Sequence, residues 1–311
     1  MSALDALQPA YATSGFVVGT LVGLTGVGGG SLMTPVLILL FGINPAAAVG
    51  TDLLYAAVTK TAGSFVHGFN QTIDWRVVRR LATGSIPMTV VTIAVMHLLD
   101  INGPTVRGLI NAALTLALFA TAVTLVFRDR LVARYSARLA ALAPQQIDVL
   151  TVVAGAALGM VVSISSIGAG AIGVTVLILL YPKLPMARIV GSDIAHAVPL
   201  TLVGGVGHWF LGAVDLPVFA SLIMGSIPGI LLGSYAAVRT PERALRLVLA
   251  GTLIVVAIKL SFGLLSPPTN VAAVTGKVET GFPTRSAPTE VHDPEKWKPV
   301  FRQDHAPPNE N

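Results

Sequence analysis

Apolar stretches long enough to cross a bilayer recur along most of this chain. They fall at 14–42, 46–67, 78–99, 105–127, 148–181, 187–211, 216–238 and 242–264. A hydrocarbon core takes about 20 apolar residues in a helix, and only a helix or a closed barrel satisfies its own backbone there. The pattern therefore predicts an all-α polytopic membrane protein. The opening stretches, 14–42 and 148–181, are too long for one ordinary span and too short for two. Each is broken by small residues, GLTGVGGGS at 23–31 and SISSIGAGAIG at 163–173. Glycine runs make poor helix interior and permit sharp backbone changes. Each opening stretch reads as a broken helix or a hairpin that re-enters on the side it left.

The pattern is written twice. A spacing of 140 residues pairs Gly15 with Gly155, Gly19 with Gly159, Gly28 with Gly168, Gly30 with Gly170 and Pro45 with Pro185, and VLILL at 36–40 recurs at 176–180. After a one-residue slip, Gly50 pairs with Gly191, Asp52 with Asp193, His67 with His208, Asp74 with Asp215, and GSIP at 84–87 with GSIP at 225–228. The expected organisation is two homologous membrane repeats, 14–127 and 148–264, each a re-entrant or broken helix followed by three transmembrane helices. A basic cytoplasmic linker, 128–147, joins them. Residues 265–311 are rich in Pro, Thr, Asn and charge and read as a disordered C-terminal tail. A duplicated, glycine-interrupted apolar unit outlines a secondary transporter with its site between the halves.

Charge placement gives the repeats a direction. Suppose all eight stretches cross. Arg76, Arg79, Arg80 and the linker residues Arg128, Arg130, Arg134 and Arg138 then share one side, while Lys183, Arg188, Arg239 and Arg243 fall on the other. With both opening stretches re-entrant, all of these groups face the cytoplasm, Arg107 being the main exception. Each repeat then crosses three times, so the second is inverted and both termini lie outside. The composition agrees: 53% of the 311 residues are hydrophobic and 11% charged, against about 25% charged in soluble chains. The opening residues lack a basic n-region and a small-residue cleavage site, so no removable signal peptide is expected. The absence of cysteine excludes a catalytic thiol, a disulfide framework and thiolate metal sites. No cofactor or metal is expected, and the net charge of +5 belongs to membrane orientation, not nucleic-acid binding.

Candidate chemistry sits at the breaks and just after them. Irregular backbone at membrane depth must line protein or a water-filled cavity, and a half-helix starting there attracts anions. Gly28, Gly29, Gly30 and Ser31 are the substrate-lining candidates in the first repeat; Ser165, Ser166, Gly168 and Gly170 are their counterparts. Close helix packing is the plainer role for such glycines, and it suits Gly15, Gly19, Gly155 and Gly159. Thr51-Asp52 and Ser192-Asp193 stand near helix starts as N-caps, or hold the neighbouring tips and exchange protons. Lys60, opposite Thr201, lies too deep to snorkel and needs a carboxylate or an anionic ligand. His196 follows Asp193 by three residues and could form a proton relay with it. His67 and His208 are further proton-coupling candidates, although their place at span ends favours an interfacial, structural role. Pro87 and Pro228 would kink their spans, and Asp74 and Asp215 read as solvated or capping.

These residues resemble the TauE/SafE family of sulfite and organosulfonate exporters. The matching elements are GLTGVGGGSLMTPVL and GTD in the first half, then SSIGAGAIGVTVL, IVGSDIAHAVPLT, GHW and GSIPG in the second. The resemblance implies a multi-pass protein of the inner (plasma) membrane that exports a small sulfur-containing anion or related carboxylate; the aspartates and histidines above make protons a candidate coupling ion. A membrane-embedded hydrolase and a passive anion channel are the alternatives; neither a GxSG-type serine site nor an HExxH motif is present.

Overall fold

The structure, a computed structural model, describes residues 8–25, 30–101, 103–237 and 242–265. Among them it is built of α-helices, with no strand. The first opening stretch becomes α1 (Pro9–Thr25) and α2 (Gly30–Leu39), and the second becomes α6 (Pro144–Ser165) and α7 (Ala171–Leu180). Each pair is followed by three long helices: α3 (Pro45–Phe69), α4 (Trp75–Leu98) and α5 (Pro104–Ala140), then α8 (Met186–Phe210), α9 (Leu216–Ala237) and α10 (Glu242–Leu265). Helices α4, α5, α6, α8 and α9 are each long and apolar enough to cross a membrane. The expected tail beyond Leu265 lies outside the described residues.

Two expectations change in form. The linker is mostly helix: α5 runs through the basic stretch to Ala140, leaving only 141–143 before α6. RDRLVARYSARLA contains no Gly or Pro to stop the helix, so its 37 residues extend about 55 Å, well beyond a hydrocarbon core. The second opening stretch also begins earlier than its apolar run, at Pro144, which makes α6 a full-length helix and α7 a half-helix. Both stretches double back. The rings of Tyr11 and Phe41 lie 4.4 Å apart, and Thr151 Oγ1 lies 2.8 Å from Tyr181 Oη at the equivalent positions.

The long helices pack through contacts that are exchanged between the repeats. Helix α1 lies against α9, and α6 against α4. A Cβ on Gly225 would strike the Ala12 carbonyl, and one on Gly84 the Val152 carbonyl. Gly15 abuts Leu222 as Gly155 abuts Leu81, and Gly19 abuts Ser226 as Gly159 abuts Ser85. Small residues let these backbones approach, which drives association where lipid offers no hydrophobic advantage. The plainer reading of the spaced glycines therefore describes their packing. Helices α3 and α8 run antiparallel side by side: Gly50 meets His208 and Ala213, Gly205 meets Leu54, and Gly191 meets Thr72 and His67. Two equivalent helices thus lie against each other along most of their length.

Candidate functional site

The break between α6 and α7 is the best-defined irregular backbone at the centre. Ser166 adopts a left-handed conformation at φ 57°, and Gly168 and Gly170 have φ of 116° and 144°. Only glycine takes the latter two without strain. The Ser165 hydroxyl donates to the Val161 carbonyl at 2.7 Å and accepts from the Ile167 amide at 3.2 Å, which holds the turn. No side chain caps the start of α7 at Gly170.

Lys60 reaches this break from the other repeat. Its Nζ donates to the Ala169 carbonyl at 2.8 Å, and the residue is buried. Asp193 and Asp52 both attract the ammonium electrostatically, but neither forms an ion pair with it. Among the described residues Lys60 makes no salt bridge; an ion pair elsewhere joins Arg80 to Asp148. A buried amine bonded to one backbone carbonyl, with two carboxylates beyond contact distance, keeps donor capacity for a further partner.

The two equivalent aspartates are held differently. Asp52 Oδ2 accepts from the Thr34 amide at 3.2 Å and from the Thr34 hydroxyl at 2.5 Å, which ties α3 to α2. Its Oδ1 has no hydrogen-bond partner and neither has Ser166 Oγ, although the Ser166 hydroxyl stands beside this carboxylate. Position 174, equivalent to Thr34, is Val174, which offers no hydroxyl. Asp193 instead lies over Gly173, where a Cβ would meet its Oδ1, and that oxygen also lacks a partner. Both carboxylates thus sit against the second arm of their own hairpin, and neither caps its own helix. Helices α3 and α8 start at Pro45 and Met186, about two turns earlier, so the N-cap reading of 51–52 and 192–193 fails.

The hydroxyls beside the aspartates serve the opposite repeat. Thr51 Oγ1 accepts from the Asp215 amide at 3.0 Å, and Ser192 Oγ from the Asp74 amide at 2.8 Å. Asp74 caps α4 through the amides of Arg76 and Val77, and Asp215 accepts from the Val218 amide at 3.0 Å. Deeper in the bundle, Tyr55 Oη and Ser226 Oγ are 2.5 Å apart, while His196 Nε2 lies 2.8 Å from Ser85 Oγ. These pairs occupy equivalent positions. His196 is therefore turned to Ser85, and the hydrogen bond to Asp193 that its spacing allowed is not made; its Nδ1 is unpartnered.

The remaining candidates lie apart. His67 Nδ1 is 2.8 Å from Thr72 Oγ1 at the end of α3, in keeping with a structural role. His208, in the last turn of α8, is fully buried, with Nε2 2.9 Å from the Ser163 carbonyl. Gly30 opens α2, and Ser31 follows it; Gly28 and Gly29 lie outside the described residues. Pro87 and Pro228 sit inside α4 and α9. Among the described residues no three His, Asp or Glu side chains group as metal ligands. Thr34, Ser85, Ser226 and the Ala169 carbonyl belong to the centre yet were not singled out from the sequence. The repeated serine in GSIP was the available signal for two of them.

The chain matches the sulfite exporter TauE/SafE family over residues 11–260. It is 38% identical over 247 residues to the probable membrane transporter protein YjnA of Bacillus subtilis, covering 79% of this chain and 96% of that protein. The probable membrane transporter protein MJ0441 of Methanocaldococcus jannaschii is 25% identical over 267 residues, covering 79% of this chain and 92% of its own length. No solved structure matches. The match extends through both hairpins, the Lys60 helix and both aspartates, and the chain belongs to the sulfite exporter TauE/SafE family of membrane transporters.

Proposed function

We propose that this chain is an inner-membrane secondary transporter that exports a small anion, such as sulfite, an organosulfonate or a related carboxylate. Its repeats are inverted across the membrane, and each opening stretch is a re-entrant hairpin. The exchanged contacts of α1 with α9 and α6 with α4, the antiparallel α3 and α8, and the meeting of Tyr11 with Phe41 and of Thr151 with Tyr181 support that arrangement. The anion binds between the hairpin tips, where α7 starts uncapped, and its charge is met by Lys60. The observation that carries this reading is the Lys60 ammonium of one repeat resting on the broken backbone of the other, at Ala169.

Charge counting supports protons as the coupling ion. With Asp52 and Asp193 ionised and Lys60 charged, the cluster holds one net negative charge in a medium that tolerates none. An added anion is accommodated once the carboxylates take up protons, and by reciprocity anion binding favours that uptake. Asp52 and Asp193 are the proton carriers, with His196 at their side; His67 and His208, held elsewhere, serve structure. Alternating access follows as one repeat rocks against the other about the α3–α8 contact.

The test is flux of sulfite, sulfonates and short carboxylates in proteoliposomes, with and without a proton gradient. Saturable flux that rises when protons are supplied on the anion's side is expected. Conductance far above carrier rates, or flux indifferent to the proton gradient, contradicts the proposal.

A further inference from the structure

At the end of the molecule where α6 starts and α7 finishes, the polypeptide leaves a cavity of about 350 Å³. Its charged lining comes from three elements: Arg76 and Arg80 of α4, Asp148 of α6, and Lys183 just after α7. Arg80 is engaged with Asp148. Arg76 and Lys183 have no carboxylate and no hydrogen-bond acceptor among the described residues, so two cations face the same space unneutralised. The rest of the wall is apolar, with Leu139, Leu142, Ile147, Leu180 and Leu184. Trp75, 61% exposed and adjacent to Arg76, is the type of residue that sits at headgroup level.

The repeat supplies an internal control. The positions equivalent to Arg76, Arg80, Asp148 and Lys183 are Pro217, Ser221, Gln8 and Ile43, all uncharged. The same two positions still meet there, through an uncharged bond: the backbone N–H of Gln8 donates to Ser221 Oγ at 3.3 Å, where the other end has the Asp148–Arg80 pair. Packing of these helices therefore does not require the charges. Orientation in the membrane needs positive residues in the loops, but it does not need two of them turned into one cavity beside an apolar wall.

We infer that this cavity binds the headgroup of an anionic phospholipid, its phosphodiester between Arg76 and Lys183 and the start of its acyl chain along Leu139, Ile147 and Leu184. Two cations match one phosphate with its remaining polar groups, and the apolar wall distinguishes a lipid from a free anion. Because the lining joins α4 to both feet of the α6–α7 hairpin, the bound lipid fastens the hairpin's base to the neighbouring repeat. Neither substrate nor flux enters this inference, so it stands or falls independently of the transport proposal.

The test uses the full chain purified in detergent, titrated with phosphatidylglycerol, phosphatidylcholine or glycerol phosphate. Thermal unfolding and the number of lipid adducts in native mass spectra are followed. Phosphatidylglycerol is expected to raise the unfolding temperature and to give one retained adduct. At about 1 kcal/mol per cation near a charged headgroup, Arg76→Gln and Lys183→Gln each weaken binding about fivefold and together roughly 30-fold. Arg79→Gln, one residue from the lining on the same helix, serves as the control and leaves binding unchanged. Arg76→Lys retains most of it. Equal responses to phosphatidylcholine, equal responses to glycerol phosphate, or an equal loss in Arg79→Gln overturns the inference: the first removes charge recognition, the second the lipid, and the third the cavity.

Discussion

Asp52 and Asp193 are the same residue written twice, and they are held differently. Asp52 is fastened to α2 by both the amide and the hydroxyl of Thr34. Asp193 lies over Gly173, which offers no hydroxyl, and each of the two carboxylates keeps one unpartnered oxygen. The neighbouring pairs diverge in the same sense: Tyr55 meets Ser226, whereas the titratable His196 meets Ser85, and Lys60 stands opposite Thr201. Equivalent positions of the two repeats thus carry different side chains and different hydrogen bonds where α3 and α8 meet.

The scaffold is the place to break both halves at once. Gly84→Val and Gly225→Val each push a side chain into a facing backbone carbonyl. Both should cost several kcal/mol, roughly 3 or more, as overpacking against rigid backbone does. Loss of the folded fraction by size-exclusion chromatography should be similar in the two variants. A large difference would mean that the two helix contacts are not equivalent.

The aspartates sharpen the contrast. Asp52→Ala leaves the Thr34 amide and hydroxyl without their acceptor, so it should lower stability by about 1–3 kcal/mol. Asp193→Ala breaks no hydrogen bond seen among the described residues and should unfold at nearly the native temperature, while its flux responds less steeply to pH, Asp52 remaining as the other carrier. Thermal unfolding paired with proteoliposome flux checks both, and equal destabilisation in the two variants would erase the distinction. The smallest effect belongs to the hydroxyls. Ser226→Ala and Ser85→Ala each remove one buried hydrogen bond, worth about 1 kcal/mol. Only Ser85→Ala, which frees His196, should alter the pH profile of transport.

Most of the architecture was legible in the apolar pattern, because span length and glycine interruption are direct consequences of a hydrocarbon solvent. The repeat located both breaks, and Lys60 was conspicuous as a charge too deep to snorkel. The extension of α5 was hidden because RDRLVARYSARLA is too polar to count as span, although nothing in it stops a helix. Thr34, Ser85 and Ser226 were hidden for another reason. Hydroxyls in membrane helices commonly bond their own preceding turn, as Thr20 does to the Phe16 carbonyl and Thr175 to the Ala171 carbonyl. Which of them turn across to a neighbour depends on how the helices cross, and that crossing is set by backbone contacts between repeats far apart in sequence. For the same reason the N-cap reading of Thr51 and Ser192 failed: their partners are the loops of the opposite repeat.

The central claim is that Lys60 meets the charge of the transported anion at the broken backbone of the second repeat. The most direct measurement is saturable sulfite flux in proteoliposomes bearing Lys60→Ala, compared with the native chain at equal insertion and with unfolding temperature as the check on folding. Loss of a buried charged partner worth about 1.5–3 kcal/mol predicts a fall of roughly 10- to 100-fold. Native flux from an inserted, folded Lys60→Ala protein would contradict the account.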